Sequence, residues 1–179
     1  MTKMKLCGLF RPCDIDAANE LKPEYIGFVF ARKSRRYVTP EEAAELKKLL
    51  DPDIQAVGVF VNEAAERIAA LLNKGIIDIA QLHGAEDEND INQLRTLTDK
   101  PIIKAFCIKE SEDITDAESC LADYILLDSG EGTGTVFDWK KIQNIQRPYF
   151  LAGGLSIDNV ENAVRQLNPY AVDVSSGIE

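Results

Sequence analysis

Gln55-Ala-Val-Gly-Val-Phe-Val61 is followed by Asn62, by Glu63-Ala-Ala-Glu-Arg-Ile-Ala-Ala-Leu-Leu-Asn73, by Lys74-Gly75, and then by Ile79-Ala-Gln-Leu82. The first run is apolar almost without interruption, as strands covered on both faces are. The second segment is amphipathic and predicts a helix, with Asn62 as its N-cap and Gly75 as its stop. A second apolar run then opens. The stretch reads as one strand–helix–strand unit, and its neighbours repeat it.

Working outward, apolar runs occur at Met4–Cys7, Tyr25–Phe30, Gln55–Val61, Ile79–Leu82, Ile102–Phe106, Tyr124–Leu127, Tyr149–Ala152 and Ala171–Val174, with starts 21 to 30 residues apart. Helices are expected between them at Asp14–Leu21, Pro40–Leu50, Glu63–Asn73, Asp87–Leu97, Ser111–Leu121, Phe137–Ile145 and Ile157–Leu167. Thr39 before Pro40 is a good N-cap with proline at the first helical position. Ala43, Leu46, Leu49 and Leu50 form one apolar stripe on that helix. Right-handed crossovers leave a closed barrel or an open doubly wound sheet. Eight strands favour the closed (β/α)8 TIM barrel, as one domain over residues 1–179. Seven helices are expected, because the quoted sequence ends shortly after strand 8. No GxGxxG follows the first strand, which weakens a dinucleotide-binding reading.

The 179 residues are few for a fold that typically needs about 250, so short loops are expected. The formal net charge of −10 repels nucleic acid and anionic membranes, so neither is an expected partner. It also requires any anion site to be locally electropositive. Cys7, Cys13, Cys107 and Cys120 show no metal-finger spacing and read as reduced thiols of a cytoplasmic protein. No signal-peptide pattern opens the chain, and no apolar run approaches the roughly 18 residues of a membrane span.

In such barrels the chemistry sits just past the C-terminal ends of the strands. Those positions hold Cys7-Gly8, the basic stretch Arg32-Lys33-Ser34-Arg35-Arg36, His83-Gly84, Asp128-Ser129 with Gly132-Thr133-Gly134, Gly153-Gly154, and Ser175-Ser176-Gly177. The glycines after strands 6, 7 and 8 together favour a phosphate cradle over tight turns alone. Cys7 is a candidate base or nucleophile if its surroundings lower its pKa, and otherwise a small buried hydrophobe. Asp128 is a candidate acid or base, or a loop cap. His83, the sole histidine, is a candidate titrating group or a structural one. Arg36 suits a carboxylate clamp, whereas Arg35 reads as part of a solvated loop.

These motifs, taken in register, resemble the phosphoribosylanthranilate isomerase family of tryptophan biosynthesis. The matching stretches are Lys5-Leu-Cys-Gly8 with Arg11-Pro12, Gly27-Phe-Val-Phe30 with Lys33-Ser34 and Arg36-Tyr-Val38, and Val57-Gly-Val-Phe-Val-Asn62. Gln81-Leu-His-Gly84, Leu127-Asp-Ser129, Gly132-Thr-Gly134, Phe137-Asp-Trp139, Leu151-Ala-Gly-Gly-Leu155 and Val172-Asp-Val-Ser-Ser-Gly177 complete the set, so the resemblance spans the chain. It implies an Amadori rearrangement of a phosphosugar substrate, with no metal and no cofactor, in a monomer or homodimer. It implies Cys7 as general base, Asp128 as general acid and Arg36 as the holder of the anthranilate carboxylate. It places phosphate at Gly153, Gly154, Ser176 and Gly177. Asp128 would need a raised pKa to arrive protonated.

Departures from the family pattern are Arg35 for proline, Phe10 for threonine and Glu131 for glycine. The family also continues past Ser175-Ser-Gly-Ile-Glu179 into a final helix, so this length of chain is expected to be weakened in stability and phosphate affinity before its acid–base chemistry suffers. Two alternatives stand beside the isomerase. One is another phosphosugar barrel such as an indole-glycerol-phosphate synthase, which would use lysines such as Lys5 and Lys104. The other is an inactive phosphate-binding or assembly module.

Overall fold

A computed structural model describes residues 1–128, 139–142 and 145–178. Eight strands run in the order β1 (Lys3–Cys7), β2 (Tyr25–Val29), β3 (Gln55–Phe60), β4 (Ile79–Leu82), β5 (Ile102–Cys107), β6 (Tyr124–Asp128), β7 (Tyr149–Leu151) and β8 (Ala171–Val174). All pair in parallel, and β8 returns to β1, with Lys3 opposite Ala171 and Leu6 opposite Val174, to close the barrel. The eight apolar runs are therefore the eight staves, with no end shifted by more than one residue.

Six α-helices are described: α1 (Pro12–Leu21), α2 (Pro40–Leu49), α3 (Ala65–Asn73), α4 (Glu88–Arg95), α5 (Ser111–Ser119) and α6 (Val160–Leu167). Three begin where side-chain chemistry dictates. Thr39 accepts from the Glu42 N–H while Glu42 reaches back to Thr39 N, a reciprocal cap on α2. Asp87 and Asp90 do the same for α4, as do Glu110 and Asp113 for α5.

Two helix expectations need correction. Within the expected helix 137–145, Trp139–Ile142 is a short 3-10 turn, and residues 137, 138, 143 and 144 lie outside the described residues. The count is thus six α-helices among the described residues, not seven. Asn62 does not cap α3. It sits in the left-handed region at φ 52°, and its carboxamide oxygen accepts from the Ala85 N–H in the loop after β4. Its side chain is committed across the barrel top, so α3 begins later, after Ala64.

Apolar side chains form two shells. The outer one, with Ile26, Phe28, Phe60, Leu82, Ile102 and Leu127, lies between staves and helices. The inner one joins Tyr25, Val57, Ile79, Ile103, Leu126, Phe150 and Ala171 inside the barrel. Both faces of each stave are buried, which explains the unbroken apolar runs. At the N-terminal end, Phe150 meets Tyr25 and Tyr170 edge-on, at ring-centroid distances of 5.3 and 5.6 Å. Lys3 Nζ donates to Tyr170 Oη at 2.7 Å there, closing the floor.

Candidate active site

Side chains two apart on a stave point the same way. Above the inner apolar layer, three of the next inward positions turn polar within one step, Ile79 to Gln81, Leu126 to Asp128 and Ala171 to Asp173, while Val57 to Val59 and Phe150 to Ala152 stay apolar. These upper residues line a cavity of about 410 Å³ at the C-terminal end of the barrel, together with Cys7, Arg36, His83, Gly153, Gly154, Ser175 and Ser176. The strand period that builds the core also builds the site.

Cys7 ends β1 and is buried. It pairs in register with Gly27 on β2. A Cβ at Gly27 would lie 2.6 Å from Cys7 Sγ, so the missing side chain is what leaves room for the thiol. Burial pushes the thiol pKa above its ordinary value. Lys5 and Arg36 oppose that shift by charge, and Lys5 also by a hydrogen bond. Desolvation outweighs the cations, so the lowered pKa that the sequence reading set as a condition for a readily ionised thiol is not met.

Lys5 is fully buried and places Nζ 2.9 Å from both carboxylate oxygens of Asp173. Burial works against its charge, but Asp173 and Cys7 together hold its pKa above the ordinary lysine value. Lys104, the other lysine considered, pairs with Glu86 at 3.2 Å and donates to Gly84 O at 2.8 Å. Neither lysine lines the cavity. A lysine-based acid–base set therefore has no geometry here.

Arg36 projects from the loop after β2. Its Nη1 donates to Ser175 Oγ at 3.0 Å, and Ser175 Oγ donates to the Cys7 carbonyl at 3.1 Å. Arg36 is thus tied to β8 and β1 at the cavity rim, while Arg35 is exposed, as expected. Gly8, at φ 89°, would drive a Cβ into Arg36 Cδ. Glycine there lets the guanidinium stem lie flat on the β1 loop.

Asp128 ends β6, and its carbonyl accepts from the Ile108 N–H at 2.9 Å. Its Oδ2 lies 3.5 Å from His83 Nε2. His83 Nδ1 lies 2.9 Å from the carboxamide nitrogen of Gln81, which is almost wholly buried. The loop carrying His83 is clamped by Glu86, which accepts from the N–H groups of Asn62 at 2.6 Å and Gly84 at 2.8 Å.

Gly153 and Gly154 adopt left-handed φ values of 85° and 64°. Asn159 Nδ2 donates to Gly154 O at 2.8 Å and anchors that turn to the start of α6. A Cβ at Gly177 would run into the Leu155 carbonyl, so the loops after β7 and β8 touch through that glycine. Of the residues expected from sequence, Cys7, Asp128, Arg36, Gly153, Gly154 and Ser176 share the cavity wall, and Gly177 stands behind it as a spacer. Ser129 and the Gly132-Thr133-Gly134 run lie outside the described residues, as does Glu131. Sequence reading assigned no role to Asp173 or Ser175, although both stand at inward or loop positions of β8 that the strand period singles out.

The arrangement joins a thiol beside a buried ammonium, a carboxyl beside an imidazole, a guanidinium at the rim and a double-glycine turn. Comparison with known proteins identifies the family. The family model described as N-(5'phosphoribosyl)anthranilate (PRA) isomerase matches residues 4–179. The N-(5'-phosphoribosyl)anthranilate isomerase of Endomicrobium trichonymphae is 43% identical, covering 100% of this chain and 90% of its own. That of Thermoanaerobacter sp. (strain X514) is 45% identical with the same coverage. The crystal structure of phosphoribosyl anthranilate isomerase from Thermotoga maritima superposes with a TM-score of 0.91 at 35% identity, over 100% of this chain and 90% of that one. A phosphoribosyl anthranilate isomerase in complex with reduced 1-(o-carboxyphenylamino)-1-deoxyribulose 5-phosphate superposes at 0.89 with 35% identity, over 100% and 89%. The chain belongs to the N-(5'-phosphoribosyl)anthranilate isomerase family.

Proposed function

We propose that this chain converts N-(5'-phosphoribosyl)anthranilate to 1-(2-carboxyphenylamino)-1-deoxyribulose 5-phosphate in tryptophan biosynthesis, with Asp128 as general acid and Cys7 as general base. The observation that carries the reading is that Cys7, Asp128, Arg36 and the Gly153-Gly154 turn all line one cavity. Asp128 gives its proton to the furanose ring oxygen, the C1–O bond breaks and a Schiff base forms. Cys7 then takes the C2 proton, and the resulting enolamine tautomerises to the ketone. A thiol whose pKa burial holds high is a strong base once ionised, and Lys5, hydrogen-bonded to it, accommodates the ionised form.

Arg36, a planar fork at the rim, suits the anthranilate carboxylate. The left-handed Gly153-Gly154 turn and Ser176 suit the phosphate, with Gly177 holding the two loops together. A monomer or a homodimer belongs to the same proposal. A Thermotoga maritima relative is described as dimeric. No helix among the described residues is long and apolar enough to cross a membrane, and a cytoplasmic location belongs to the same proposal.

The test is loss of phosphoribosylanthranilate fluorescence on adding the protein. Cys7→Ser and Asp128→Asn are each expected to slow turnover by about 10²–10⁴-fold. Full turnover in either variant would overturn that role. Product binding without turnover in the wild-type chain would replace the isomerase with a binding module.

A further inference from the structure

We infer that Gln81 is a positioning residue for the acid step: its carboxamide N–H fixes the proton of the neutral His83 ring on Nε2, directed at Asp128. The inference rests on the isomerase reading for its kinetic consequence, but not for its structural content.

Gln81 Nε2 carries two donors and no acceptor, and it lies 2.9 Å from His83 Nδ1. A hydrogen bond there requires a lone pair on Nδ1. In the neutral ring the proton must then sit on Nε2, which faces Asp128 Oδ2 at 3.5 Å. A proton on Nδ1 would set two donors against each other. Neither group can move aside easily. Gln81 is 1% exposed, and the His83 N–H donates to Phe60 O at 2.8 Å. Glu86, itself held by Lys104, fixes the following residue Gly84.

The consequence is chemical. An imidazolium beside Asp128 would stabilise its carboxylate and keep the acid empty of its proton. A neutral Nε2–H donor supports the carboxylate formed after the ring oxygen has been protonated, without adding a full charge before it. Among the described residues, the other titratable or charged groups around this pair are Cys7, Arg36 and Asp173 on the cavity wall and Lys5 beneath them, with Glu86 and Lys104 paired behind the His83 loop. Gln81 Oε1 is buried and has no hydrogen-bond partner among the described residues. Turning the carboxamide over would put that oxygen on Nδ1, demand Nδ1–H, and aim the Nε2 lone pair at Asp128. The two orientations thus predict opposite tautomers.

Nitrogen-15 NMR of the imidazole decides between them, and His83 is the only histidine in the sequence, so its signals need no assignment. At about pH 7.5, above the ordinary histidine pKa, the wild-type ring is expected as the neutral Nε2–H tautomer. Gln81→Glu replaces the donor with an acceptor. Its ring is expected to carry both protons at that pH, and kcat to fall by about tenfold or more while KM stays within about threefold. Gln81→Met, which fills the space without bonding, is expected to give mixed tautomers and an intermediate kcat. An Nδ1–H tautomer or an imidazolium in the wild-type protein would overturn the inference. So would a Gln81→Glu protein whose ring signals are unchanged. A wild-type chain without turnover would end the isomerase reading, while the ring signals of wild type and Gln81→Glu would still decide what Gln81 does.

Discussion

Lys5 and Asp173, 168 residues apart in sequence, form a bidentate ion pair at 2.9 Å beneath the cavity, with side-chain exposures of 0% and 7%. The pair joins β1 to β8 at the seam where the barrel closes. It also puts a buried ammonium near the buried thiol of Cys7, where their charges are weakly screened. One contact therefore serves closure and chemistry together.

Removing half of that pair should be costly. Lys5→Met leaves Asp173 charged and buried without its partner, and we expect a loss of about 3–5 kcal/mol in urea unfolding. Lys5→Met with Asp173→Leu replaces the pair by apolar groups and should recover most of it. If the single variant were as stable as wild type, the pair would not be the seam's main polar tie.

Alkali should weaken the fold through Cys7. Burial raises its pKa in the folded state, so above the ordinary thiol value, about 8.5, the unfolded chain loses a proton that the folded chain keeps. The folded state then binds more protons, and stability falls as pH rises from that point. Cys7→Ala lacks this penalty, whereas Cys120, also pushed up by burial, is common to both proteins and cancels. The stability of Cys7→Ala relative to wild type should therefore climb between about pH 8.5 and 10, by at most about 1.4 kcal/mol per unit. A flat difference would mean that Lys5 and Arg36 outweigh burial.

Much of this was legible in the chain itself, for a physical reason. Staves covered on both faces must be continuous apolar runs, so strand ends, and the residues just past them, can be counted off. Cys7, Asp128 and Gly153 were found that way. What stayed hidden depends on contacts between distant positions. Lys5 and Asp173 each look like an ordinary charged residue until the barrel closes. Asn62 looked like a helix cap because nothing nearby in sequence shows that Ala85 takes its carboxamide. The direction of the thiol's shift stayed open because sequence shows the cations but not the depth of burial.

Thiol reagents should separate the cysteines by exposure. Cys13 and Cys107 are exposed and Cys7 is buried with a raised pKa. Iodoacetamide at neutral pH should label Cys13 and Cys107 first with little loss of turnover, and turnover should then fall in step with the slower labelling of Cys7. Peptide mass spectrometry over the time course reads both. Inactivation that tracks Cys13 or Cys107 would count against Cys7 as the base.

The two glycines that touch the site should fail in different ways. At Gly27 an added methyl meets Cys7 Sγ at 2.6 Å, with Cys7 Cα at 3.1 Å behind it. The thiol must turn away, but Arg36 and the loops after β7 and β8 are untouched. Gly27→Ala should therefore lower kcat by about tenfold to a hundredfold with little change in KM, since a displacement of about 1 Å is enough for such a loss. At Gly177 the methyl would meet the Leu155 carbonyl, which is backbone and cannot rotate away. The loops after β7 and β8 must part, and the phosphate cradle proposed between them should loosen. Gly177→Ala should raise KM by about tenfold or more and leave the pH dependence of kcat unchanged, because Cys7 and Asp128 stand on β1 and β6. Steady-state kinetics of both variants test the division of labour: if Gly177→Ala lowered kcat alone, the loops would serve the proton transfers rather than the phosphate.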